Sequence, residues 1–385
     1  MFMTAASHIL PFLVTIPAVI YSSLSLYAAF RYFNRRRPPV VELQPVTILK
    51  PVKGMDADSF ANFASFCRQE HPCYQIVFAV ASSDDPVLPI IRRLISEFPD
   101  SDIELVVDGR IFGPNHKVCN LLKAFPKAKH DLIVICDSDI RVTSRYLADL
   151  CSLFTDPAVG LVTSLYRTTS VHGVAPAIEA LGFATEMIPN VLVALQLEGL
   201  TFALGASTAF RREVLDRIGG FASLVDSLAD DYQLGNRVFR AGYRLELSDC
   251  FVESVIHREP LAMVFSRQLR WGRTMRVSRP WGYLASGVTQ PAGAALCALL
   301  AGIVLDSTFS GIAAAASLYS VRFLVAMVFS RRFVRDFLLP RYLWLLPVRD
   351  LLAFVCWLMA FTGNRVDWRG HRYVVRPGGR IEELS

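Results

Sequence analysis

The sequence predicts a doubly wound, mostly parallel α/β sheet with one transmembrane helix before it and a helical membrane region after it. Three observations carry this expectation. Between residues 46 and 247, short apolar runs of strand length alternate with stretches of helical spacing, the order from which open α/β sheets are built. An almost unbroken apolar run at 9–30 is long enough to cross a bilayer and is followed at once by Arg31, Arg35, Arg36 and Arg37. After Pro280 the apolar segments return. The composition agrees. With 53% hydrophobic residues, 19% charged residues and a mean hydropathy of +0.37, the chain is too apolar to be soluble throughout and too charged to be a membrane bundle throughout.

The run at 9–30 reads as an anchor and not as a signal peptide, because its basic cluster follows the apolar stretch instead of preceding it. Pro38-Pro39 ends that helix. The charge bias places the N-terminus outside and everything after Arg37 in the cytoplasm. Segments 46–49, 76–81, 103–107 and 132–136 read as strands, with helices at 60–69, 87–97 and 118–125 between them. Segment 178–204 is unusually apolar for a connection, and Pro189 and Glu198 interrupt it, so it reads as a membrane-surface element or channel wall and not as a span. A short helix at 213–218 ends at Gly219-Gly220, and another runs from Asp230 to Arg240.

Beyond Pro280, 291–305 and 312–329 form an apolar pair around Asp306, and Arg331, Arg332 and Arg335 mark a cytoplasmic loop. Segment 342–361 is apolar again but carries Pro347, Arg349 and Asp350. If all three cross, the basic tail ends outside, against the charge bias; either the last segment is re-entrant or the tail is an exception. The expected division is an anchor with its basic flank (1–37), a cytoplasmic domain (38–280), membrane segments (281–362) and a polar tail (363–385).

The groups that carry chemistry gather at predicted strand ends, where open α/β sheets bind ligands. Strand 132–136 ends in Asp137-Ser138-Asp139. This places two hard oxygen ligands on a tight loop, suited to a divalent cation that also holds a diphosphate, although an isolated Asp-x-Asp is more often an acidic turn. Lys50-Pro51-Val52-Lys53-Gly54 follows the first strand, Asp84-Asp85-Pro86 the second, and Gly113-Pro114-Asn115-His116-Lys117 precedes the helix that leads into the Asp-x-Asp strand. Each is an ordinary loop alone; on one sheet edge they make a site. Asp230 and Asp231 open a helix, where acidic residues also favour the dipole by ~0.3–1 kcal/mol each. Arg267-x-x-Arg270-Trp271 puts two guanidiniums on one helix face, suited to phosphate or else to a membrane interface. The eight cysteines include no Cys-x-x-Cys pair and no zinc spacing, which points to a reduced compartment. The net charge of +6 clusters beside apolar segments, indicating an anionic membrane surface and no nucleic-acid partner.

As an ordered set, Lys50-Pro-x-Lys-Gly54, Asp84-Asp85-Pro86, Asn115-x-Lys117, Asp137-Ser-Asp139, Asp230-Asp231 and Arg267-x-x-Arg270-Trp271 resemble the ceramide glucosyltransferase family. The resemblance covers about 46–276 and returns at Trp368-Arg-Gly-His-Arg-Tyr373. Asp-Ser-Asp stands where animal members have Asp-Ser-Gly, and Asp230-Asp231 where they have Glu-Asp; both changes look like the bacterial branch, with its hopanoid-linked and diacylglycerol-linked members. The resemblance implies a GT-A fold and inverting transfer of a sugar from a UDP-sugar, foremost UDP-glucose, to the hydroxyl of a membrane lipid, foremost ceramide. Alternatives are UDP-N-acetylglucosamine transfer to a hopanoid and sugar transfer to diacylglycerol. The implied location is a bacterial inner membrane with the catalytic domain cytoplasmic.

The same resemblance implies roles for individual residues. Asp137 and Asp139 would hold Mg²⁺ or Mn²⁺, with His257 a further candidate ligand. Arg267 and Arg270 would take the charge of the leaving diphosphate, and Trp271 would flank the diphosphate or the sugar. Lys50, Asp84, Asp85, Asn115, Lys117, Asp137 and Asp230 would bind the donor. Asp231 would be the general base. Two rival readings are a processive polysaccharide synthase of related fold and a membrane-anchored nucleotide-binding scaffold. The few C-terminal apolar segments count against the first, and the acid at Asp231 with Arg270-Trp271 counts against the second.

Overall fold

The structure, a computed structural model, describes residues 2–36, 43–169, 173–256, 259–336 and 338–384. His257 and Arg37 lie outside the described residues. The strands are β1 (Val46–Val52), β2 (Tyr74–Val80), β3 (Asp102–Val107), β4 (Leu132–Cys136), β5 (Ile140–Arg141), β6 (Val159–Thr169), β7 (Ser207–Arg211), β8 (Arg244–Val255), β9 (Arg365–Trp368), β10 (His371–Val375) and β11 (Ile381–Glu383). Among the described residues, the first eight form one sheet in the order β3-β2-β1-β4-β7-β6-β8-β5, and the last three form a second in the order β11-β10-β9. In the large sheet β1 is parallel to β2 and β4, β2 to β3, and β6 to β8; the other pairings are antiparallel. This is the mixed, mostly parallel α/β sheet that the sequence predicts.

The central strands are buried along their whole length, so apart from Thr47 and Lys50 of β1 their residues are apolar on both faces. Successive residues of β1 therefore serve different cores. Ile48 packs with Phe63, Ile76 and Leu94 under the helices Ser59–Phe66 and Leu88–Glu97. Leu49, on the other face, joins a core that includes Ala28, Ala29 and Tyr32 of the helix Phe2–Phe33, together with Leu181, Val325 and Leu346. One side of the sheet is thus covered by helices of the soluble layer, and the other continues directly into the apolar helices. β1 runs on past the predicted 46–49 to Val52, so Lys50 lies inside the strand; Pro51 is tolerated because β1 has no β4 neighbour after Leu49.

Four helices among the described residues are long and apolar enough to cross a membrane: Ser7–Phe33, Val174–Glu198, Thr308–Val334 and Leu339–Thr362. The pair Pro280–Thr289 and Pro291–Val304 is bent by 57°. Val174–Glu198 differs from the sequence expectation, because Pro189 does not interrupt it. A π turn at Phe183–Met187 precedes the proline, and the helix continues to Glu198. Of its most apolar stretch, 72% is buried inside the protein, against 28% for Ser7–Phe33.

The expected plain polar tail is instead a small antiparallel sheet. Arg369 and Gly370, both at positive φ, make a two-residue hairpin between β9 and β10. Val366, Tyr373, Val375 and Ile381 bury themselves against Leu228. The Leu228 amide donates to Gly379 O at 3.0 Å and the Ile381 amide to Asp226 O at 2.7 Å, so the tail is bonded to the large domain.

Candidate active site

The site lies beyond the end of β4, where its loop meets β1, β8 and the helix Asp230–Arg240. The Asp137 amide donates to Ala206 O at 3.2 Å and the Val255 amide to Asp139 O at 3.0 Å, so the loop is held from both neighbouring strands. The Ser254 hydroxyl donates to Asp139 Oδ2 at 3.0 Å. Lys50, fully buried, donates from Nζ to Asp137 O at 2.9 Å and stands 3.7 Å from the centre of the Phe66 ring. Burial pushes the Lys50 ammonium down, against the pull of Cys136, Asp137, Asp139 and Asp56. Asp56 reaches the loop through the Ser138 hydroxyl, which donates to it.

Burial, then the like charges of Asp137 and Asp56, push Asp139 up to about 6. Crowded carboxylates of this kind are stabilised by a divalent cation, and the residues present fit one held by Asp139 with Asp137. Among the described residues, no group of three or more His, Cys, Asp or Glu side chains is arranged to hold a metal by itself. That fits a site completed by diphosphate oxygens and water.

Lys117 links this loop to the acid pair. Its ammonium lies 2.7 Å from Asp137 Oδ1 and 3.5 Å from Asp230 Oδ2. Burial works against that charge, but Asp137, Asp230 and Asp231 outweigh it and hold the pKa well above its ordinary value. Lys117 is therefore engaged by carboxylates, whereas the family resemblance gives it to the nucleotide. Asn115 is a clamp of the same kind. Its Oδ1 caps the helix His116–Ala124 by accepting from the Val118 amide at 3.0 Å, and its Nδ2 donates to Ser227 O at 2.7 Å and to Asp230 Oδ1 at 3.3 Å. Asp85 accepts from the amides of Gly54 (2.9 Å) and Val87 (3.0 Å), joining two loops, while Asp84 is exposed beside it.

Asp231 opens its helix and accepts from the Tyr232 amide at 2.7 Å. A Cβ at position 205 would sit 2.7 Å from Asp231 Oδ2, so glycine at 205 leaves the room that this carboxylate occupies. Burial, then the like charge of Asp230, push Asp231 up to about 6, with Lys117 opposing. Tyr166 is close enough for the charges of Asp231, Glu179, Asp137 and Asp139 to act on its hydroxyl.

The arginine motif divides. Arg267 is bound by Glu179 and Glu259, and those carboxylates outweigh the effect of burial to hold its pKa above its ordinary value. The Arg270 guanidinium makes no hydrogen bond or ion pair among the described residues and lies 5.8 Å from the centre of the Trp368 ring. Burial, then Arg267, lower its pKa to about 10, so it is charged at neutral pH. Trp271 leans on Phe183 at 6.2 Å, and Phe183 meets Tyr166 edge-on at 4.8 Å. The tail hairpin closes the side, where Arg369 Nη1 donates to Lys53 O at 2.9 Å and His371 stands 4.9 Å from His116.

The structure thus bonds Lys50, Asn115, Lys117, Asp137 and Asp230 into one network, with Asp139 and Asp231 within range of its charges, Arg270 and Trp271 beside it and Asp84 and Asp85 on the rim. Sequence reasoning missed Asp56, Tyr166, Glu179, Gly205 and Arg369. Glu179 had a legible signal, a carboxylate inside an apolar run, and Arg369-Gly370 had the look of a two-residue turn.

The profile of glycosyl transferase family 21 matches residues 10–381. Ceramide glucosyltransferase 3 of Caenorhabditis elegans is 27% identical over 238 residues, covering 62% of this chain and 50% of that protein. Ceramide glucosyltransferase of Komagataella phaffii is 32% identical over 151 residues, covering 35% and 29%. The chain spans about half the length of the first of these relatives and less of the second. Among solved structures, the mannosyltransferase PcManGT from Pyrobaculum calidifontis, in complex with GDP-Man and Mn²⁺, superposes with a TM-score of 0.54 at 19% identity, covering 91% of this chain and 99% of that one. At that identity the likeness shows the fold, which is GT-A-like. Since the family profile spans nearly the whole chain, from the first apolar helix to the tail sheet, the chain belongs to glycosyl transferase family 21.

Proposed function

We propose that this protein transfers a sugar from a UDP-sugar, UDP-glucose first among them, to the hydroxyl of a membrane lipid, ceramide first among them, with inversion at the anomeric carbon and on the cytoplasmic face. The observation that carries this reading is the placement of Asp231, a half-buried carboxylate pushed up to about 6, beside a metal-type carboxylate loop. The acceptor oxygen attacks C1 of the sugar while its proton passes to Asp231. The bond from C1 to the diphosphate breaks, and UDP leaves with the electron pair.

Asp139 and Asp137 would hold a divalent cation, Mg²⁺ or Mn²⁺, which when bound neutralises charge on the diphosphate. Mn²⁺ in the GDP-Man complex of PcManGT supports a divalent ion here as well. Arg270, whose guanidinium has no carboxylate partner among the described residues, would take the remaining charge. Lys117 keeps Asp137 and Asp230 in place, and Asp84 and Asp85 stand at the rim where a uridine would lie.

The test is transfer by the full-length protein in detergent, with UDP-glucose and ceramide, scored for a β-linked glycolipid product. Diacylglycerol, hopanoid and free oligosaccharide serve as alternative acceptors. Activity should vanish on chelation and return with Mg²⁺ or Mn²⁺. Transfer to oligosaccharide alone refutes the lipid acceptor, and full activity after exhaustive chelation refutes the metal.

A further inference from the structure

Beyond the aromatic trio, the apolar helices hold a second polar cluster that the reaction at Asp231 does not use. It centres on Glu186, in the π turn of Val174–Glu198. Arg349, from the helix Leu346–Met359, donates from Nη2 to Glu186. The Tyr21 hydroxyl donates to Asn190, one turn further along, and the phenols of Tyr21 and Tyr283 both lie within range of the Glu186 charge. Beside them Arg322 bonds Asp350 at 2.9 and 3.1 Å and Thr185 O at 2.8 Å.

The two arginines differ in one respect. All three nitrogens of Arg322 have partners, whereas Nε and Nη1 of Arg349 have none among the described residues, although the residue is only 4% exposed. A guanidinium held in apolar surroundings with two idle donors is an incomplete arrangement. Room has been left for it. A Cβ at Gly182 would sit 2.7 Å from Arg349 Nε, so glycine lets the guanidinium lie against the helix backbone. Glu186, by contrast, keeps 34% of its side chain exposed, so the pair sits at an opening.

We propose that Glu186 and Arg349, floored by Gly182, form the subsite for the headgroup of the lipid acceptor, a neutral lipid with an acyl carbonyl close to a free hydroxyl. The proposal rests on the lipid-acceptor reading above. Arg349 supplies donors to the carbonyl oxygen, and Glu186 accepts from the headgroup's N–H or second O–H. Two carboxylates and two guanidiniums leave the cluster without net charge, which gives an anionic phospholipid no advantage. The location suits the chemistry. Phe183, which meets both Trp271 and Tyr166, stands in the same π turn as Glu186, and Tyr166 lies within range of the Asp231 charge, so the cluster adjoins the candidate base through one pair of rings.

The test uses the full-length protein in detergent with short-chain fluorescent ceramide and diacylglycerol, an amide and an ester source of the carbonyl, and measures both binding and transfer. E186Q/R349Q removes both charges and leaves neither stranded. It should weaken binding of the preferred probe at least tenfold and raise the acceptor KM to match, with the donor KM unchanged. The reversed pair E186R/R349E keeps an ion pair between the two helices, and it should lose the acceptor to the same extent. Phosphatidylglycerol should not compete. Normal acceptor affinity in either variant, competition by phosphatidylglycerol, or failure of the wild type to bind either probe overturns the subsite. Binding that depends on Arg349 without any transfer leaves the subsite standing and refutes the proposed reaction instead.

Discussion

At the scale of the residue, the decisive question is which acid does the chemistry. Asp231→Asn keeps the shape and removes the base; turnover should fall ~10²–10⁴-fold with UDP-glucose affinity retained, measured by kcat and by donor titration. Because burial and Asp230 raise Asp231 to about 6, the carboxylate loses its charge as pH falls through that value. The base is then protonated, so log kcat/KM should decline with unit slope below about pH 6, and a profile flat down to pH 5 would assign the proton elsewhere. The arginines make a second contrast. Arg267→Met strands Glu179 and Glu259, of which Glu179 is almost fully buried, and should cost on the order of 3 kcal/mol of stability, seen as a lowered melting temperature. Arg270→Met strands no carboxylate and should leave melting unchanged while lowering kcat. The reverse pattern would exchange their roles.

At the scale of the element, the tail hairpin matters most. β9 to β11 bury a small cluster against Leu228, and their turn places Trp368 under Arg270 and Arg369 against Lys53. Tyr373 anchors the cluster, fully buried, with its hydroxyl donating to Pro114 O at 3.2 Å. Tyr373→Ala should destabilise the tail by roughly 3 kcal/mol and free the hairpin from the site. The readouts are proteolysis between residues 363 and 380 and a raised donor KM with kcat less affected. Unchanged donor KM with a cleaved tail would mean that the hairpin only covers the domain. The same scale explains Val174–Glu198, whose π turn lets the helix accept Pro189 and stay buried instead of breaking.

At the scale of the whole molecule, the bonded tail decides how the chain threads the membrane. Gly379 and Ile381 hydrogen-bond to Leu228 and Asp226, so the tail and the large sheet share one side, which requires an even number of crossings between them. The turn at Asp306–Ser307 stands next to the start of the first helix, where the Ser307 hydroxyl donates to Ser7 O at 2.7 Å and His8 meets Ser310 at 2.9 Å. We predict two crossings, by the bent pair Pro280–Thr289 and Pro291–Val304 and by Thr308–Val334. On that path the helix Leu346–Met359, part of the apolar stretch Leu339–Thr362, would lie along the interface, with Val348, Leu351 and Leu358 exposed and Arg349, Asp350, Ala353 and Cys356 buried. In a background with Cys73 and Cys297 changed to Ser, Phe309→Cys should react with an impermeant maleimide on intact cells, and Arg372→Cys only after permeabilisation. Labelling of both from outside would reject this path.

The sequence by itself determined the sheet class, the anchor, the Asp-x-Asp loop and the position of Asp231, because each is written in neighbouring residues. A strand buried on both faces must be a continuous apolar run, and Leu132–Cys136 was legible to the residue. An acidic pair opening a helix is a local signal, and so is a basic cluster behind an apolar run. Only the tertiary structure decided who pairs with whom. Arg267 and Glu179 are 88 residues apart, and nothing near either predicts that the guanidinium meets this carboxylate. That Lys117 stands between Asp137 and Asp230 is likewise visible only in the folded chain. Gly205 looks like any loop glycine until the Asp231 carboxylate is found in the space a Cβ would fill. Charge bias sums over loops and says nothing of what the tail packs against, whereas two backbone hydrogen bonds, to Asp226 and from Leu228, put it on the large domain. Local pattern specifies elements through short-range sterics and burial; the electrostatics of a buried site depend on distances that only the folded chain sets.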